Sequence, residues 1–390
     1  MAQMAFGRDG KFSWDSVGFL LCLFSIANSA HAELGIPAVS TEPWSARAAA
    51  TTFDGEIVNA WDLDLTLSER LHDDASDGYL DDFSFFTAAL IGSGIDSPTK
   101  LSQLKQEFDQ WCSEQADLLE RVSDPREKSR LLLHALHETW CTGQYFAACA
   151  RVDQTLTDGH FNCVTATILY HVACDRVGLP SQIIAVPGHV FTRILLDTPL
   201  DVQTTASSWL DPEATHPAVP DGTERPLSEV QLVGKLFYNL GVAKLAQQRF
   251  NEAAGLFRTA LAWDPQDQAA GQNLLAALNN GALALANQRQ YQRALEMLEQ
   301  GLHYDPEFAP LLANYRHVAG KWFSDLVSRG RRAKAGRVLD SVISLDVVEN
   351  QRWIAEKRRD LFRQESIVSS FAADADQDTN WYEDLTTSSP

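Results

Sequence analysis

The sequence predicts an α+β protein, in which a helical domain with a small antiparallel sheet precedes an all-α repeat array. Three observations predict this class. Helical patterning with capping residues begins near residue 81, two strand-like segments follow an apolar helix, and an apolar pattern recurs every 41 residues after about residue 235. The chain has 390 residues, of which 45% are apolar and 22% are charged, so it can form a sizeable core.

The first 32 residues are typical of a secretory signal peptide. Val17 to Ile26 is apolar, and Ala30-His31-Ala32 has the small residues of a cleavage site. The apolar stretch is shorter than the roughly 20 residues that a membrane span needs. We therefore expect an exported protein, periplasmic or extracellular, with no stable membrane span after the signal is removed. A buried N-terminal helix is the alternative. Residues 33–80 are poorly patterned.

The charge and the cysteines narrow the possible partners and cofactors. The formal net charge of −20 argues against nucleic acid, because phosphate binding needs clustered Lys and Arg. The chain after residue 32 contains Cys112, Cys141, Cys149, Cys163 and Cys174. Five is an odd number, so in an oxidising compartment at least one thiol stays free or pairs with another molecule. Five buried, reduced cysteines are the alternative. No C-x-x-C spacing occurs, and we expect neither a metal nor a cofactor.

Residues 81–212 form the predicted first domain. Ser97-Pro98 and Asp124-Pro125 each combine a capping residue with a proline at the first helical position, so each begins a helix. A third helix is predicted from Cys163 to Val177, because Gly178 follows it. The segments 182–186 and 189–196 are strand-like, and Asp201 to Thr205 is a candidate returning strand.

Cys163 and His189 are the best candidates for chemistry. A thiol at a helix start has a lowered pKa, because the positive end of the helix dipole favours the thiolate. An imidazole within reach would act as the base, and a third group would orient its second nitrogen. Asp201 and Asp211 compete for that third role, since the strand register cannot be read from the sequence.

These residues resemble the transglutaminase-like superfamily, which has a papain-related fold. The matching elements are Asn162-Cys163 on the core helix, Gly178-Leu179 at its end, Pro187-Gly188-His189 at a strand start, and Asp201-Val202-Gln203-Thr204-Thr205 on the next strand. The resemblance covers residues 125 to about 212. It implies Cys163 as nucleophile, His189 as base and Asp201 as the orienting residue.

Residues 234–365 form the predicted repeat array, after a linker at 213–233. The recurring positions are Ala253, Phe257, Ala260 and Pro265, then Ala294, Leu298, Gly301 and Pro306, then Ala335, Leu339, Val342 and Val347. They resemble the tetratricopeptide repeat, although that family's period is about 34 residues. The longer period predicts about two extra helical turns per unit. Residues 366–390 form an acidic tail that we expect to be disordered.

Two functions follow from this organisation. The first is an exported thiol enzyme that cleaves or transfers an amide acyl group, while the repeats bind a protein or peptide. The alternative is a non-catalytic adaptor, in which the transglutaminase-like domain is a scaffold and the repeats mediate binding. A third possibility is that Cys163 lies in a disulfide.

Overall fold

A computed structural model describes residues 65–206, 223–343 and 352–359. The predicted signal peptide, most of the segment before residue 80, Asp211 and the acidic tail lie outside these ranges. The described chain is mostly helical with one four-stranded antiparallel sheet, so the α+β class is confirmed.

The N-terminal part contains six α-helices, one short 3-10 helix (Ala75–Asp77) and three strands in the described residues. The helices are α1 (Leu65–Asp74), α2 (Phe85–Gly92), α3 (Pro98–Leu119), α4 (Pro125–Thr139), α5 (Val152–Asp158) and α6 (Cys163–Arg176). The strands are β1 (Ser181–Val186), β2 (His189–Ile194) and β3 (Leu200–Val202).

The predicted helix starts are confirmed by their caps. The Ser97 side chain accepts a hydrogen bond from the backbone of Lys100, and the Asp124 side chain accepts one from the backbone of Arg126. Helix α1 lies in the segment that the sequence left unpatterned, and its Leu71 is only 1% exposed. Polar residues around Leu71 dilute the apolar period of this short helix, which is why the pattern is weak.

Helix α6 is the centre of the first core. Ten of its residues, including Tyr170, are buried, and the helix packs against α4 and against β1 and β2. The Tyr170 hydroxyl donates a hydrogen bond of 3.0 Å to the Ser129 carbonyl of α4. A helix that is apolar on all sides is typical of a fully buried position.

The sheet has the order β3-β2-β1-β4, where β4 is Arg225–Leu227. Strand β1 pairs with β2 from Ser181↔Ile194 to Val186↔His189, and Ile183 pairs with Leu227 of β4. Strand β4 and the start of the next helix occupy 225–233, which the sequence assigned to a linker. Pro226 is tolerated because β4 is an edge strand.

The repeat array consists of three antiparallel helix pairs in the described chain. They are α7 (Glu229–Ala246) with α8 (Phe250–Trp263), α9 (Gln268–Asn287) with α10 (Tyr291–Tyr304), and α11 (Ala309–Ser328) with α12 (Arg332–Ile343); helix α13 (352–359) follows. The second helix of each pair begins 41 residues after its predecessor, at Phe250, Tyr291 and Arg332. The sequence period therefore corresponds to a structural period.

Small residues allow the paired helices to approach closely. A Cβ atom on Gly241 of α7 would lie 2.7 Å from the Phe257 ring of α8, which is closer than real contacts permit. The array is also tied to the sheet, because the Arg225 guanidinium of β4 donates two hydrogen bonds to Asp264 after α8, one of them 3.0 Å long. Asp264 is 1% exposed, so the carboxylate of this ion pair is buried.

Candidate active site

Cys163 is the first residue of α6, and a capping box fixes that position. The Asn162 side chain accepts a hydrogen bond of 2.9 Å from the Thr165 backbone, and the Thr165 hydroxyl accepts one of 3.1 Å from the Asn162 backbone. This reciprocal pair ends the preceding extended chain and begins the helix at the cysteine. The thiol therefore lies beside the free N–H groups of the first helical turn.

His189 is the first residue of β2, directly after a two-residue turn. Val186 pairs with His189 across the turn, and Gly188 has a φ of +78°, a conformation that favours glycine. The imidazole stacks on Phe191, two residues along the same strand, with 6.3 Å between the ring centroids. The turn and this stacking place the ring at the end of the sheet that faces Cys163.

The structure places Cys163 and His189 close enough for each to shift the pKa of the other. Burial alone would raise the pKa of the thiol, but the imidazole and the backbone N–H groups of Val190 and Val164 outweigh it, so the pKa of Cys163 is lowered. Burial alone would lower the pKa of His189, yet Cys163 and Gln203 together raise it. Both directions favour a thiolate–imidazolium pair, which is the reactive form of a nucleophilic cysteine.

The third residue of the site is Gln203, and the structure does not place Asp201 there. His189 Nε2 and Gln203 Oε1 are 2.6 Å apart. A carbonyl oxygen can only accept, so Nε2 carries a proton and Nδ1 is the nitrogen left for the sulfur. An amide in this position orients an imidazole as a carboxylate would.

Asp201 is held elsewhere by Arg193. The two residues are directly paired between β2 and β3, and the Arg193 guanidinium donates hydrogen bonds of 2.6 and 2.8 Å to the carboxylate. Glu224 is a second partner of Arg193, at 3.0 Å. The expectation that Asp201 orients His189 is therefore corrected. The alternative, Asp211, lies outside the described residues.

Gln203 is fixed by its neighbour Thr204, which is fully buried. The Thr204 carbonyl lies 3.0 Å from His137 Nε2 of α4, and its hydroxyl lies 2.9 Å from that of Thr167 on α6. These contacts tie the chain after β3 to two helices. The Gln203 amide consequently approaches the imidazole from a rigid support.

Tyr145 is a further residue at the sulfur, and the sequence analysis missed it. Burial, and after it the neighbouring Cys163 thiol, raises the pKa of the Tyr145 hydroxyl. Tyr145 is 43% exposed as a residue, and its ring packs edge-on against Phe161, with 6.1 Å between the centroids. It is thus a solvent-accessible polar residue beside the thiol.

Two glycines position the Tyr145 segment beside the start of α6. The Gly143 backbone N–H donates a hydrogen bond of 3.0 Å to the Gly159 carbonyl, and Phe146 donates one of 2.8 Å to Phe161. Gly159 has a φ of +74°, and a Cβ atom there would lie 2.9 Å from the Gly143 nitrogen. No side chain fits between these backbones, so both conformation and space favour glycine at 159.

The other four cysteines of the described chain are buried free thiols without this activation. Burial raises the pKa of Cys112 to about 12 and that of Cys141 to about 12. The pKa values of Cys149 and Cys174 are raised as well, mainly by burial. Cys163 is itself a free thiol, so within the described residues it is not part of a disulfide.

His171 of α6 has a role outside the candidate site. It is half-buried, and its Nδ1 lies 2.9 Å from the Ser181 hydroxyl of β1. In the described part of the chain, no three His, Cys, Asp or Glu residues are arranged to hold a metal ion. Likewise, none of the helices described is both long and apolar enough to cross a bilayer.

The chain matches no protein-family model, no curated protein and no solved structure. The transglutaminase-like and tetratricopeptide resemblances therefore remain expectations from the sequence.

Proposed function

We propose that the protein is an exported thiol enzyme of transglutaminase-like type, which cleaves or transfers an amide acyl group. Residues 234–365 would be tetratricopeptide-type repeats that bind a protein or peptide. The observation that carries the proposal is the position of His189 between Cys163 and Gln203, with opposite pKa shifts of thiol and imidazole.

The chemistry assigns one step to each group. The Cys163 thiolate attacks an amide carbonyl and forms a C–S bond, and the carbonyl oxygen becomes an oxyanion. His189 Nδ1–H then protonates the nitrogen as the C–N bond breaks, and the amine leaves. Water or a second amine attacks the thioester, His189 takes its proton, and the thiolate is released.

The oxyanion needs donors close to the sulfur, and three groups supply them. The backbone N–H groups of Val164 and Val190 help to lower the pKa of Cys163, and the thiol helps to raise that of Tyr145, so all three groups lie near the sulfur. Fixed donors in such a position stabilise the charge that develops in the transition state. The side chain of Phe146 is 58% exposed beside Tyr145 and offers an apolar contact for a substrate side chain.

The sequence order and the repeats support the remaining parts of the proposal. The helix that begins with the cysteine precedes the hairpin that carries the histidine, as the superfamily resemblance implies. The second helices of the three pairs begin 41 residues apart, and stacked helix pairs are a usual surface for protein partners. For export, we expect the mature protein to begin at Glu33, which N-terminal sequencing of the secreted material would check.

The activity is tested with fluorescein-labelled casein, with and without a fluorescent primary amine. Hydrolysis releases labelled fragments, and transfer attaches the amine to the protein. We expect one of these products from the wild type and none from Cys163→Ala or His189→Ala. If the wild type gives no more product than Cys163→Ala, the enzyme proposal fails and the adaptor function takes its place.

A further inference from the structure

A groove of about 540 Å³ lies in the repeat array, away from Cys163. It is bounded by the turn between α9 and α10, by one face of α11 and by helix α13. Basic side chains dominate the lining: Arg289, Arg316, His317, Lys321 and Lys357. Tyr291 and Trp353 add aromatic surface, and none of the lining residues that the structure describes is acidic.

The positive charge of this groove is only partly neutralised. Arg289 and Lys357 have acidic neighbours, Asp325 and Glu356, each at 3.4 Å. Lys321 forms no ion pair with a carboxylate of the described residues. Burial of His317, together with the positive charge of Lys321, lowers the pKa of His317. The described lining is thus basic, although the whole chain has a net charge of −20. It favours an anionic occupant.

Helix α13 makes the groove a defined pocket. The Trp353 ring packs against Gly320 of α11, where a Cβ atom would lie 3.2 Å from it. Ile354, the next residue, is 5% exposed and belongs to the core of the array. The wall that carries Lys357 is therefore anchored by apolar packing.

We propose that the groove binds the chain's own acidic C-terminal segment, residues 372–390. This segment contains five acidic residues and no basic one, and it carries an aromatic pair next to two of the acids. The acidic residues are Asp374, Asp376, Asp378, Glu383 and Asp384, and the aromatic pair is Trp381-Tyr382. Charge and aromatic content thus complement the lining of the groove.

The connection is long enough for this contact. The described helix that forms one wall ends at residue 359, so 14 residues separate it from Asp374. A chain of that length spans at most about 50 Å, and about 20 Å on average as a flexible coil. Tethering of this kind gives an effective concentration on the order of millimolar. An acidic segment of another protein would then have to displace the tail.

The experiment measures binding of a labelled peptide with the sequence of residues 372–390. It compares the full chain with a full-length variant whose five tail acids are replaced by Asn and Gln. We expect the peptide to bind the neutral-tail variant at least tenfold more tightly than the wild type, because the native tail competes. Binding should weaken with added salt, since the contacts are electrostatic.

Lys321 variants in the neutral-tail background assign the binding to the groove. We expect Lys321→Gln to weaken binding about two- to fivefold, and Lys321→Glu to weaken it further. Arg337→Glu is the matched control, because Arg337 is exposed on α12 and does not line the groove. It should change affinity less than twofold.

Three results would overturn the proposal. The first is that the peptide fails to bind the neutral-tail variant. The second is that it binds the wild type and the neutral-tail variant equally tightly. The third is that Lys321→Glu weakens binding no more than Arg337→Glu does. Equal binding to the two proteins would mean that the native tail does not occupy the groove, which then takes acidic segments of other proteins. The assay reads no thiol chemistry, so its result is independent of the proposed enzyme activity.

Discussion

Replacement of Gln203 by Ala tests most sharply whether Gln203 is the third residue of the Cys163–His189 site. The substitution removes the oxygen that accepts the hydrogen bond from His189 Nε2 at 2.6 Å. That bond favours the imidazolium, and the imidazolium in turn favours the Cys163 thiolate. The variant should therefore hold less of the ion pair at any pH below the range where an isolated thiol ionises.

The magnitude follows from the strength of such a bond. A hydrogen bond to a charged group contributes about 1.5–3 kcal/mol, and about 1.4 kcal/mol corresponds to a factor of ten. Gln203 is only half-buried, so water can replace part of the interaction. We therefore expect Gln203→Ala to slow alkylation of Cys163 at pH 6 about tenfold, the lower end of that range.

The assay is the second-order rate of alkylation by iodoacetamide, followed by peptide mass mapping of Cys163. Asp201→Asn is the matched control, since its carboxylate pairs with Arg193 and not with the imidazole. It should leave the rate within about twofold of the wild type. Equal rates for wild type and Gln203→Ala, or an equal slowing by Asp201→Asn, would refute the reasoning.

Two further predictions concern the glycines that permit close backbone and helix approach. Gly159→Ala should destabilise the fold by about 1–3 kcal/mol and slow Cys163 alkylation, because the Tyr145 segment must move. Gly178→Ala, at a φ of +71° but with nothing within 4 Å, should cost less, and urea unfolding of both variants gives the difference. In the repeats, Gly241→Ala should lower the free energy of unfolding, because the added methyl group would meet the Phe257 ring. Gly255→Ala should raise it by about 0.5–1 kcal/mol, because alanine favours the helix and its methyl group has free space there. The same sign for both repeat variants would contradict the packing described.

The repeat array and the thiol–imidazole pair could be predicted because their signals are local or periodic. A 41-residue recurrence of small and apolar residues is visible without knowledge of the fold. Cys163 follows a capping residue, and His189 follows a Pro-Gly turn, so each position is fixed by its immediate neighbours. Their proximity then follows from the helix–hairpin order.

The third residue could not be predicted, because it depends on strand register. A turn centred near Thr198 would place His189 opposite about Ser207. The observed pairs, Arg193 with Asp201 and Ile194 with Leu200, place the turn one residue earlier. This change of register brings Gln203 diagonal to His189, on the same face of the sheet.

Tyr145 and β4 escaped prediction for other physical reasons. The approach of Tyr145 to Cys163 depends on the contact between Gly143 and Gly159, which no periodic pattern reveals. Strand β4 has only three residues, one of them Pro226, and that composition is typical of a loop. Both features arise from long-range contacts.

The pH dependence of Cys163 alkylation, in the wild type and in His189→Ala, tests the central claim most directly. An unperturbed thiol is only about 3% ionised at pH 7, so a full ion pair can make the wild type up to about 30-fold faster there. Because the pKa of Cys163 is lowered by His189, the wild-type rate should persist as the pH falls, while the variant should need alkaline pH. Superimposable profiles for the two proteins would contradict the account.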